Sequence, residues 1–381
     1  MNVVVDAQAW GFEHVPFNAA FVAAMAEAYP GEPIHFFGER DHIGQVQRYL
    51  ASRMDTPQVT WREITLPPRF ARERERAVPD FRNFARVLSE ARRLGASRFV
   101  ACYLHATTGV LALKALSLAE RRMLVAFVHH GSLVRVLGSR RYHPLLAFGN
   151  GRLRQIVLGD SIREEVVATI PRLRKSLFGI RHPYFFERAV PSDLPAGGPV
   201  TFSFLGLVEE SKGIAAFVDL AATFCPSLGD KVRFDLIGGK RRGVAADDVG
   251  PWVKTYGKDG PIPRELFERQ LAETTYAVFP YEPSYYKLVA SGSVLDALTA
   301  GKPLIVLRNS QFEELFQTMG DIGYLCADVA EMRTTVDAIL RDPPRDRYRR
   351  QSENILNKRH VFEPAAVGAQ LRDVLALDRR A

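Results

Sequence analysis

The residues best suited to chemistry lie at the start of a helical pattern in the second half of the chain. Ser291, Gly292 and Ser293 directly precede an apolar periodicity that runs from 294 to 299. A helix start carries unpaired backbone N–H groups and the positive end of the helix dipole, so it favours an anion such as a phosphate. Asp296 can accept hydrogen bonds from sugar or ribose hydroxyls. The segment predicts a nucleotide-diphosphate pocket, although an ordinary capped helix between two strands has the same pattern.

Other candidate residues of this half follow strand-like runs. A lysine and a glycine after FSFLGLVEES could place an ammonium beside a phosphate, and paired glycines after FDLI permit close approach of the backbone to a ligand. A tyrosine ending WVKTYG could stack on a nucleobase, and a tyrosine–lysine pair precedes the Ser-Gly-Ser turn. Each segment alone is equally typical of a simple turn or a surface lysine. The predicted substrate-binding residues of this half are Lys212, Gly213, Gly239, Tyr256, Tyr286, Lys287, Ser291, Gly292, Ser293 and Asp296.

The first half offers two histidines and an acidic loop. His129 and His130 end an apolar run, where a neutral imidazole could hydrogen-bond a sugar or acceptor hydroxyl. Packed histidines are the alternative. Glu13, beside His14 in the loop after the first strand, could assist an acceptor hydroxyl, as could Asp6.

Short apolar runs alternate with helix-length segments through most of the chain. This alternation predicts βαβ units and parallel sheets. A proline- and glycine-rich stretch, 189–199, reads as a linker. The sequence therefore predicts an α/β protein with two domains, 1–190 and 200–360, facing each other across a cleft, and a terminal helix in 361–381 packing back on the first domain. Strands are predicted at 2–6, 33–37, 59–64, 98–103, 124–128, 155–158, 200–205, 232–237, 276–279, 304–307 and 323–326. Helices are predicted at 17–29, 80–94, 107–120, 161–170, 214–223, 263–274, 294–299, 312–318 and across most of 346–377.

The net charge of +8 is confined to the first half of the chain. Residues 1–195 hold 27 Lys and Arg against 18 Asp and Glu, whereas the remainder is nearly neutral. This asymmetry predicts an anionic partner for the first domain, such as lipid headgroups, a pyrophosphate-linked acceptor or nucleic acid. Solvated helix surface is the alternative. Nucleic acid is the least favoured partner, because the basic residues are not interleaved with aromatic stacking residues.

Composition narrows the class of protein further. The three cysteines are scattered singly, with neither metal-ligand spacing nor a disulfide framework, which is typical of a reducing cytoplasm. No run approaches the roughly 18 apolar residues of a membrane span, and the N-terminus lacks the features of a signal peptide. The acidic pair Asp247-Asp248 lies in a loop without the surroundings of a metal site. We expect a cytoplasmic protein without a metal or a cofactor.

The order of these segments resembles the carboxy-terminal donor domain of GT-B glycosyltransferases, in particular the retaining glycosyltransferase family 4. GLVEESKG is similar to that family's G-R-L-x-x-x-K-G, and DALTAGKPLIV is similar to its E-A-x-A-x-G-x-P-V-I. The resemblance covers roughly residues 200–330 and, in the first half, mainly the architecture, with HPYF at 182–185 similar to the segment before the linker.

Three positions depart from the family pattern. Leu207 replaces the arginine of the diphosphate clamp, and Leu288 stands where the first of two paired acids is expected. Glu282, in a family-like Tyr-Glu-Pro context, lies 14 residues before Asp296 rather than eight. Either an insertion moves the acid to Glu282, or the Ser-Gly-Ser turn and Lys287 take over phosphate binding, which is the interpretation we favour.

The resemblance implies the GT-B fold and a retaining, metal-independent enzyme that transfers a sugar from a nucleotide-diphosphate donor to a hydroxyl acceptor. His130, Glu282 and Glu13 are the implied catalytic residues, with His129 at the substrate. The basic first domain further predicts a lipid-linked acceptor and peripheral contact with the inner face of the cell membrane, in polysaccharide or glycolipid assembly. A non-catalytic nucleotide-sugar-binding protein and a nucleotide-sugar 2-epimerase of the same fold are the alternatives.

Overall fold

The computed structural model describes residues 1–239, 249–257 and 262–376 of the chain. The basic run 240–242 and the acidic pair Asp247-Asp248 lie outside the described residues. The chain divides into two compact units. Unit 1 comprises Met1–Phe185, Leu288–Ala290 and the chain from Val361 onward, and unit 2 comprises Phe186–Lys287 and Ser291–His360.

Unit 1 is built on a sheet of seven parallel strands in the order β3-β2-β1-β4-β5-β6-β7. Its central strands are buried on both faces, which is why they read as continuous apolar runs. The strands are β1 (Asn2–Asp6), β2 (Ile34–Gly38), β3 (Val59–Glu63), β4 (Arg98–Tyr103), β5 (Leu124–His129), β6 (Leu153–Val157) and β7 (Leu177–Gly179). The helices are α1 (Val15–Ala28), α2 (Arg40–Ala51), α3 (Glu73–Arg93), α4 (Thr108–Ser117), α5 (Ser132–Leu137), α6 (His143–Ala147) and α7 (Asp160–Thr169).

Unit 2 repeats this plan with six parallel strands in the order β10-β9-β8-β11-β12-β13. Its strands are β8 (Val200–Leu205), β9 (Val232–Ile237), β10 (Val253–Thr255), β11 (Tyr276–Phe279), β12 (Leu304–Leu307) and β13 (Gly323–Cys326). Its helices are α8 (Ile214–Leu228), α9 (Arg264–Glu273), α10 (Pro283–Tyr286), α11 (Gly292–Thr299), α12 (Ser310–Met319), α13 (Val329–Arg341) and α14 (Arg345–Lys358).

All eleven predicted strands are present, each within two residues of its predicted bounds. The two strands that the sequence did not predict, β7 and β10, are three-residue edge strands. Helices α2, α5, α6, α10 and α13 were missed. For α13 the signal exists: Asp328 caps the helix, its carboxylate accepting from the backbone N–H of Glu331 at 2.8 Å. Helix α3 begins seven residues before its predicted start, with Pro79 inside it.

The last described helix, α15 (Pro364–Val374), belongs to unit 1 and packs on α1. Helix α1 is buried almost along its whole length, and its alanines allow close packing. Gly368 faces it so closely that a Cβ there would lie 2.7 Å from the carbonyl oxygen of Ala24 and 2.9 Å from Glu27 Cβ. None of the described helices is both long and apolar enough to cross a membrane.

We expect Gly368→Ala to destabilise the protein by about 1–3 kcal/mol, because the new methyl group would force the backbones of α15 and α1 apart. Gly44→Ala in α2 is the matched control: its Cβ would lie no closer than 3.7 Å to Arg48 Nη1, the nearest described atom outside the helix backbone. There we expect the opposite sign, about 0.5–1 kcal/mol of stabilisation, since glycine is unfavourable inside a helix. Urea unfolding measures both, and equal effects of the two substitutions would contradict the tight α1–α15 packing.

Candidate functional site

In unit 2, the loops after β8 and β9 meet at the carboxyl edge of the sheet. Gly206 follows β8 with φ +95°, and its N–H donates to Ile237 O at 2.8 Å. Two residues on, the N–H of Val208 donates to Gly239 O at 2.9 Å. A Cβ at Gly206 would overlap Ser293 Oγ and lie 3.2 Å from Lys212 Nζ. Glycine at this position therefore allows Lys212 and Ser293 to converge.

Lys212 ends a single helical turn that leads into α8. The next residue, Gly213, has φ +71°, and a Cβ there would overlap the carbonyl oxygen of Pro280. Only glycine fits this backbone. Gly213 thus constrains the main chain next to Lys212, and Gly206 leaves room for the ammonium of Lys212. Burial lowers the pKa of Lys212, and the carboxylates of Glu209 and Asp296 oppose that shift. An ammonium held in so little water would be stabilised by an anionic ligand.

The Ser-Gly-Ser turn leads into α11, as the sequence predicts. Ser291 occupies the N-cap position in an extended conformation, but its side chain does not cap the helix. Instead its Oγ lies 3.0 Å from the hydroxyl of Tyr281. Beside Gly292 there is open space, with no heavy atom within 4 Å of where a Cβ would stand. The helix start thus lacks a side-chain cap and has room for a ligand.

Asp296, in the second turn of α11, is bound to an arginine that sequence reasoning missed. Arg264 Nη1 lies 2.7 Å from Asp296 Oδ1, and Arg264 Nε lies 2.6 Å from Glu268 Oε1. The pair joins the start of α9 to α11 across 32 residues of sequence. No local pattern around Arg264 marks it, because the pairing depends on the parallel sheet that brings the two helices together.

The residues between β11 and α11 are held by local contacts. Glu282 is exposed and caps the short helix α10, accepting from the N–H of Ser284 at 3.1 Å. Tyr286 is buried and stacks on Tyr281 with ring centroids 4.0 Å apart. Lys287 follows α10 as its C-cap residue and is half-buried. The carboxylate of Glu282 thus has a structural partner in the described part of the chain.

Tyr256 follows β10 and is anchored by its hydroxyl. The hydroxyl donates to Asp235 Oδ2 at 3.0 Å, and the same carboxylate lies 2.9 Å from Arg233 Nε. Lys254 Nζ lies 5.1 Å from the centre of the tyrosine ring. Gly257 brings this loop back to the sheet edge, since a Cβ there would lie 3.4 Å from Gly238 O. The aromatic ring is half-buried.

In unit 1, the carboxyl edge of the sheet carries a cluster of histidines and aromatic rings. His130 stacks edge-on against Phe17 at 4.3 Å, Tyr103 at 5.0 Å and His14 at 5.1 Å between ring centroids. Its Nε2 lies 3.0 Å from the carbonyl oxygen of Cys102. His182 joins the cluster through Phe17, at 5.1 Å. From sequence alone, His14 and His182 were noted only within their own segments, and Tyr103 was missed.

His130 and His182 are held in the neutral form. Burial lowers the pKa of His130 well below its ordinary value, and the neighbouring His14 and His182 lower it further. Burial also lowers the pKa of His182 to about 4, whereas His14 is exposed at the surface. The cluster therefore offers hydrogen-bonding groups without charge, which suits a hydroxyl-rich ligand.

The structure separates the two predicted histidines. His129 is buried on the other side of β5, where Nε2 lies 3.1 Å from Gln155 Oε1 and the ring packs edge-on against Phe127. Burial lowers its pKa to about 4. Neighbouring residues of a strand point to opposite faces, so only His130 joins the cluster.

Two acids, Asp6 at the end of β1 and Glu13 in the loop that follows, accept hydrogen bonds from the backbone. Asp6 is fully buried and accepts from the N–H groups of Gln8 at 2.8 Å and Ala9 at 2.7 Å, and from the amide of Asn18. Glu13 accepts from the N–H of Trp10 at 3.0 Å and from Arg69 Nε at 2.8 Å. Asp6 shapes the loop and is not accessible to an acceptor, whereas Glu13 keeps a third of its side chain exposed.

Unit 2 thus brings Lys212, Ser291, Ser293 and Asp296 to one place, together with Gly206 and Tyr281. Gly213 allows the backbone after Lys212 to pack against the carbonyl oxygen of Pro280. The hydroxyl of Tyr256, in contrast, donates a hydrogen bond to Asp235 on β9. Among the described residues, no group of three His, Cys, Asp or Glu side chains could hold a metal ion.

No protein-family model matches the sequence, and no curated protein sequence matches it significantly. Solved structures do match over the whole chain. WaaG, a glycosyltransferase involved in lipopolysaccharide biosynthesis, has 12% identity and a TM-score of 0.65, covering 99% of this chain and 100% of its own. HepE of Anabaena, solved in complex with UDP-glucose, has 13% identity and a TM-score of 0.61, covering 98% and 99%. The trehalose-6-phosphate synthase OtsA has 11% identity and a TM-score of 0.64, covering 99% of each chain. Together with the two parallel sheets, these matches confirm the predicted GT-B fold.

The buried neutral histidines make stability depend on pH. Because the pKa of His129 is about 4 in the folded protein and 6.5 ordinarily, the unfolded chain binds the proton first as pH falls. We expect the free energy of unfolding to be greatest above pH 6.5 and to decrease as pH falls towards 4. In His129→Gln, the number of protons that the chain takes up on unfolding in this pH range should fall by about one. Denaturant unfolding between pH 7.5 and 4.5 measures it, and an unchanged slope in the variant would contradict a neutral buried His129.

Proposed function

We propose that the protein is a glycosyltransferase that moves a sugar from a nucleotide-diphosphate donor to a hydroxyl acceptor. The observation that carries this proposal is the convergence of Lys212 Nζ and Ser293 Oγ over Gly206, at the uncapped start of α11. An ammonium and a helix start side by side form a site for a diphosphate. The GT-B fold adds support, since WaaG and HepE, which share it, are described with a transferase activity and a bound UDP-glucose.

Departure of the nucleotide diphosphate is the step of the reaction that generates charge. Lys212 and the first N–H groups of α11 would stabilise the leaving group as its charge develops. Leu207, exposed where the resembled family has an arginine, adds no cation here. The Arg264–Asp296 ion pair holds the carboxylate of Asp296 in place on α11.

The acceptor would bind unit 1, at the neutral cluster of His14, Tyr103 and His130. Uncharged imidazoles can accept or donate a hydrogen bond to a sugar hydroxyl without demanding an opposite charge. Because burial lowers the pKa of His130, it would act there as a neutral partner. We also propose that the transfer retains the anomeric configuration and needs neither a metal nor another cofactor. Both properties are implied by the family resemblance.

The first test is donor binding by Lys212→Ala. We expect one nucleoside diphosphate and its sugar conjugate, out of a panel, to raise the melting temperature of the wild-type protein without metal and in the presence of EDTA. In Lys212→Ala this shift should be lost and transfer should fall by roughly 100- to 1000-fold, as for the loss of one transition-state charge partner. Thermal shift and product analysis measure both.

Lys231→Ala is the matched control. Lys231 is exposed at the amino end of β9, the edge of the sheet opposite to Gly206, so the nucleotide shift should remain. The proposal fails if no nucleotide shifts the wild type, or if Lys212→Ala and Lys231→Ala bind and turn over donor equally.

A lipid-linked acceptor at the inner membrane face is the finer part of the proposal. Phe12 and Phe70 leave 76% and 81% of their surfaces exposed. The ion pair between Glu13 and Arg69 brings their two segments together, and Arg72 and Arg74 follow closely in sequence. Exposed aromatic rings among arginines suit an anionic lipid surface, where rings enter the interface and cations meet headgroups. This supports peripheral membrane binding by a cytoplasmic protein that builds polysaccharide or glycolipid.

We expect the double substitution Phe12→Ser and Phe70→Ser to reduce co-sedimentation with vesicles of anionic lipid, because it removes the only contact that enters the apolar layer in this proposal. Trp252→Ser, which removes an exposed aromatic side chain from unit 2, should leave co-sedimentation unchanged. Binding by the wild type should also weaken as salt rises, since exposed charges are screened over about 10 Å at 0.1 M. Salt-independent binding, or equal binding by all variants, would speak against this surface.

A further inference from the structure

We infer that unit 1 contains a subsite for a phosphate group, built around the guanidinium of Arg76 and completed by Arg135 and Thr107. That this phosphate belongs to the acceptor rests on the proposed function. The subsite itself rests on the contacts of Arg76.

Arg76 lies in the first turns of α3 and is only 3% exposed. A guanidinium has five N–H donors, yet within the described part of the chain Arg76 makes a single long hydrogen bond, from Nη2 to Asp80 Oδ1 at 3.4 Å. The Nε of Arg76 is also buried, and no described residue hydrogen-bonds to it. A buried charged donor without acceptors is costly, so this arginine is incompletely satisfied by the residues around it.

The nearest carboxylate does not fully satisfy Arg76. Asp80 accepts a short hydrogen bond from the hydroxyl of Thr108 through its other oxygen. Burial raises the pKa of Asp80, and Thr108 and Arg76 oppose that rise. The planar fork of arginine matches two oxygens of one phosphate, whereas here it meets one oxygen of Asp80 at the limit of hydrogen bonding.

One turn earlier on α3, Glu73 contacts the two other groups of the subsite, Arg135 and Thr107. Its Oε1 lies 2.7 Å from Arg135 Nη1 and accepts from Thr107 Oγ1 at 2.7 Å. Arg135 is exposed and Glu73 keeps 38% of its side chain exposed, so the carboxylate can turn towards solvent and leave the arginine and the hydroxyl to an incoming anion. His105 lies between these groups: burial and then the charge of Arg76 lower its pKa, while Asp80 and Glu73 oppose them.

The subsite adjoins the neutral cluster of the same unit. Tyr103 and His105 both stand at the end of β4, and the ring of Tyr103 packs on His14 at 4.2 Å. The charge of Arg76 also acts on Tyr103, where it opposes the rise in pKa that burial causes. A ligand whose sugar ring lies against His14 and Tyr103 would thus carry its phosphate towards Arg76. The inferred ligand class is a phosphate ester of a sugar or of a polyol.

The test measures thermal stabilisation by potassium phosphate, against potassium chloride of equal ionic strength, in the wild type and three variants. We expect Arg76→Met and Arg135→Met to bind phosphate roughly 10- to 100-fold more weakly, as for loss of one charge-assisted hydrogen bond. Arg135 is exposed, so its variant reports on binding even if Arg76→Met folds poorly. Arg82→Met, an exposed arginine of the same helix, should keep the full shift. An equal phosphate shift in all four proteins, or none in the wild type, overturns the inference.

A second arm replaces potassium phosphate by vesicles containing phosphatidic acid. Dependence on Arg76 in this arm alone assigns a lipid phosphate, and dependence in the first arm alone assigns a free phosphate ester; dependence in neither arm overturns the subsite. Lys212→Ala should keep the Arg76-dependent shift, which separates this site from the donor site of unit 2. Arg76→Met should in turn keep the response to the nucleoside-diphosphate panel, so failure of the subsite and failure of the proposed function are distinguishable.

Discussion

The candidate site of unit 2 depends on one missing side chain. Gly206 directly follows strand β8, and because it has no Cβ, the ammonium of Lys212 and the hydroxyl of Ser293 can both lie close to its backbone. Lys212 and Ser293 follow different strands of the sheet, β8 and β11, which are hydrogen-bonded neighbours. Parallel pairing brings their carboxyl ends to one edge, and the glycine allows the loops that follow to meet there.

Both units hold cations whose charge is incompletely compensated. Lys212 is largely buried, and the carboxylates of Glu209 and Asp296 oppose the lowering of its pKa by burial; among the described residues, the guanidinium of Arg76 makes one long hydrogen bond. Protein interiors usually pair such groups, since a buried charge without partners destabilises the fold. Two exceptions at the carboxyl edges of two sheets are consistent with binding of anions at both edges, one in each unit.

Much of the architecture could be predicted from local pattern. Strands buried on both faces, such as β5 and β11, are continuous apolar runs bounded by polar residues, and their periodicity identifies them without further information. The Ser-Gly-Ser turn likewise marks the start of α11. Helix α2 was missed because a glutamate, Glu39, caps it in place of the more usual serine, threonine or aspartate.

The contents of each site were harder to predict, because they depend on pairs distant in sequence. Arg264 meets Asp296, and Arg135 meets Glu73, only after the strands have assembled. The pair His129 and His130 could be recognised as a motif, but the orientation of each ring follows from the strand's alternation and from the position of the strand's end. The sequence therefore predicted that several of these residues lie at the carboxyl ends of strands, whereas their partners could be identified only from the fold.

The docking of α15 on α1 has a consequence for how the chain folds as it is made. Helix α1 lies among the first thirty residues, and the helix that covers it is the last one described. A ribosome therefore synthesises all the strands of unit 2 before the apolar face of α1, including the backbone next to Ala24, can be covered by Gly368 and its neighbours. Packing of α15 on α1 in unit 1 thus follows the synthesis of unit 2, and until then the apolar face of α1 is exposed to solvent and to chaperones.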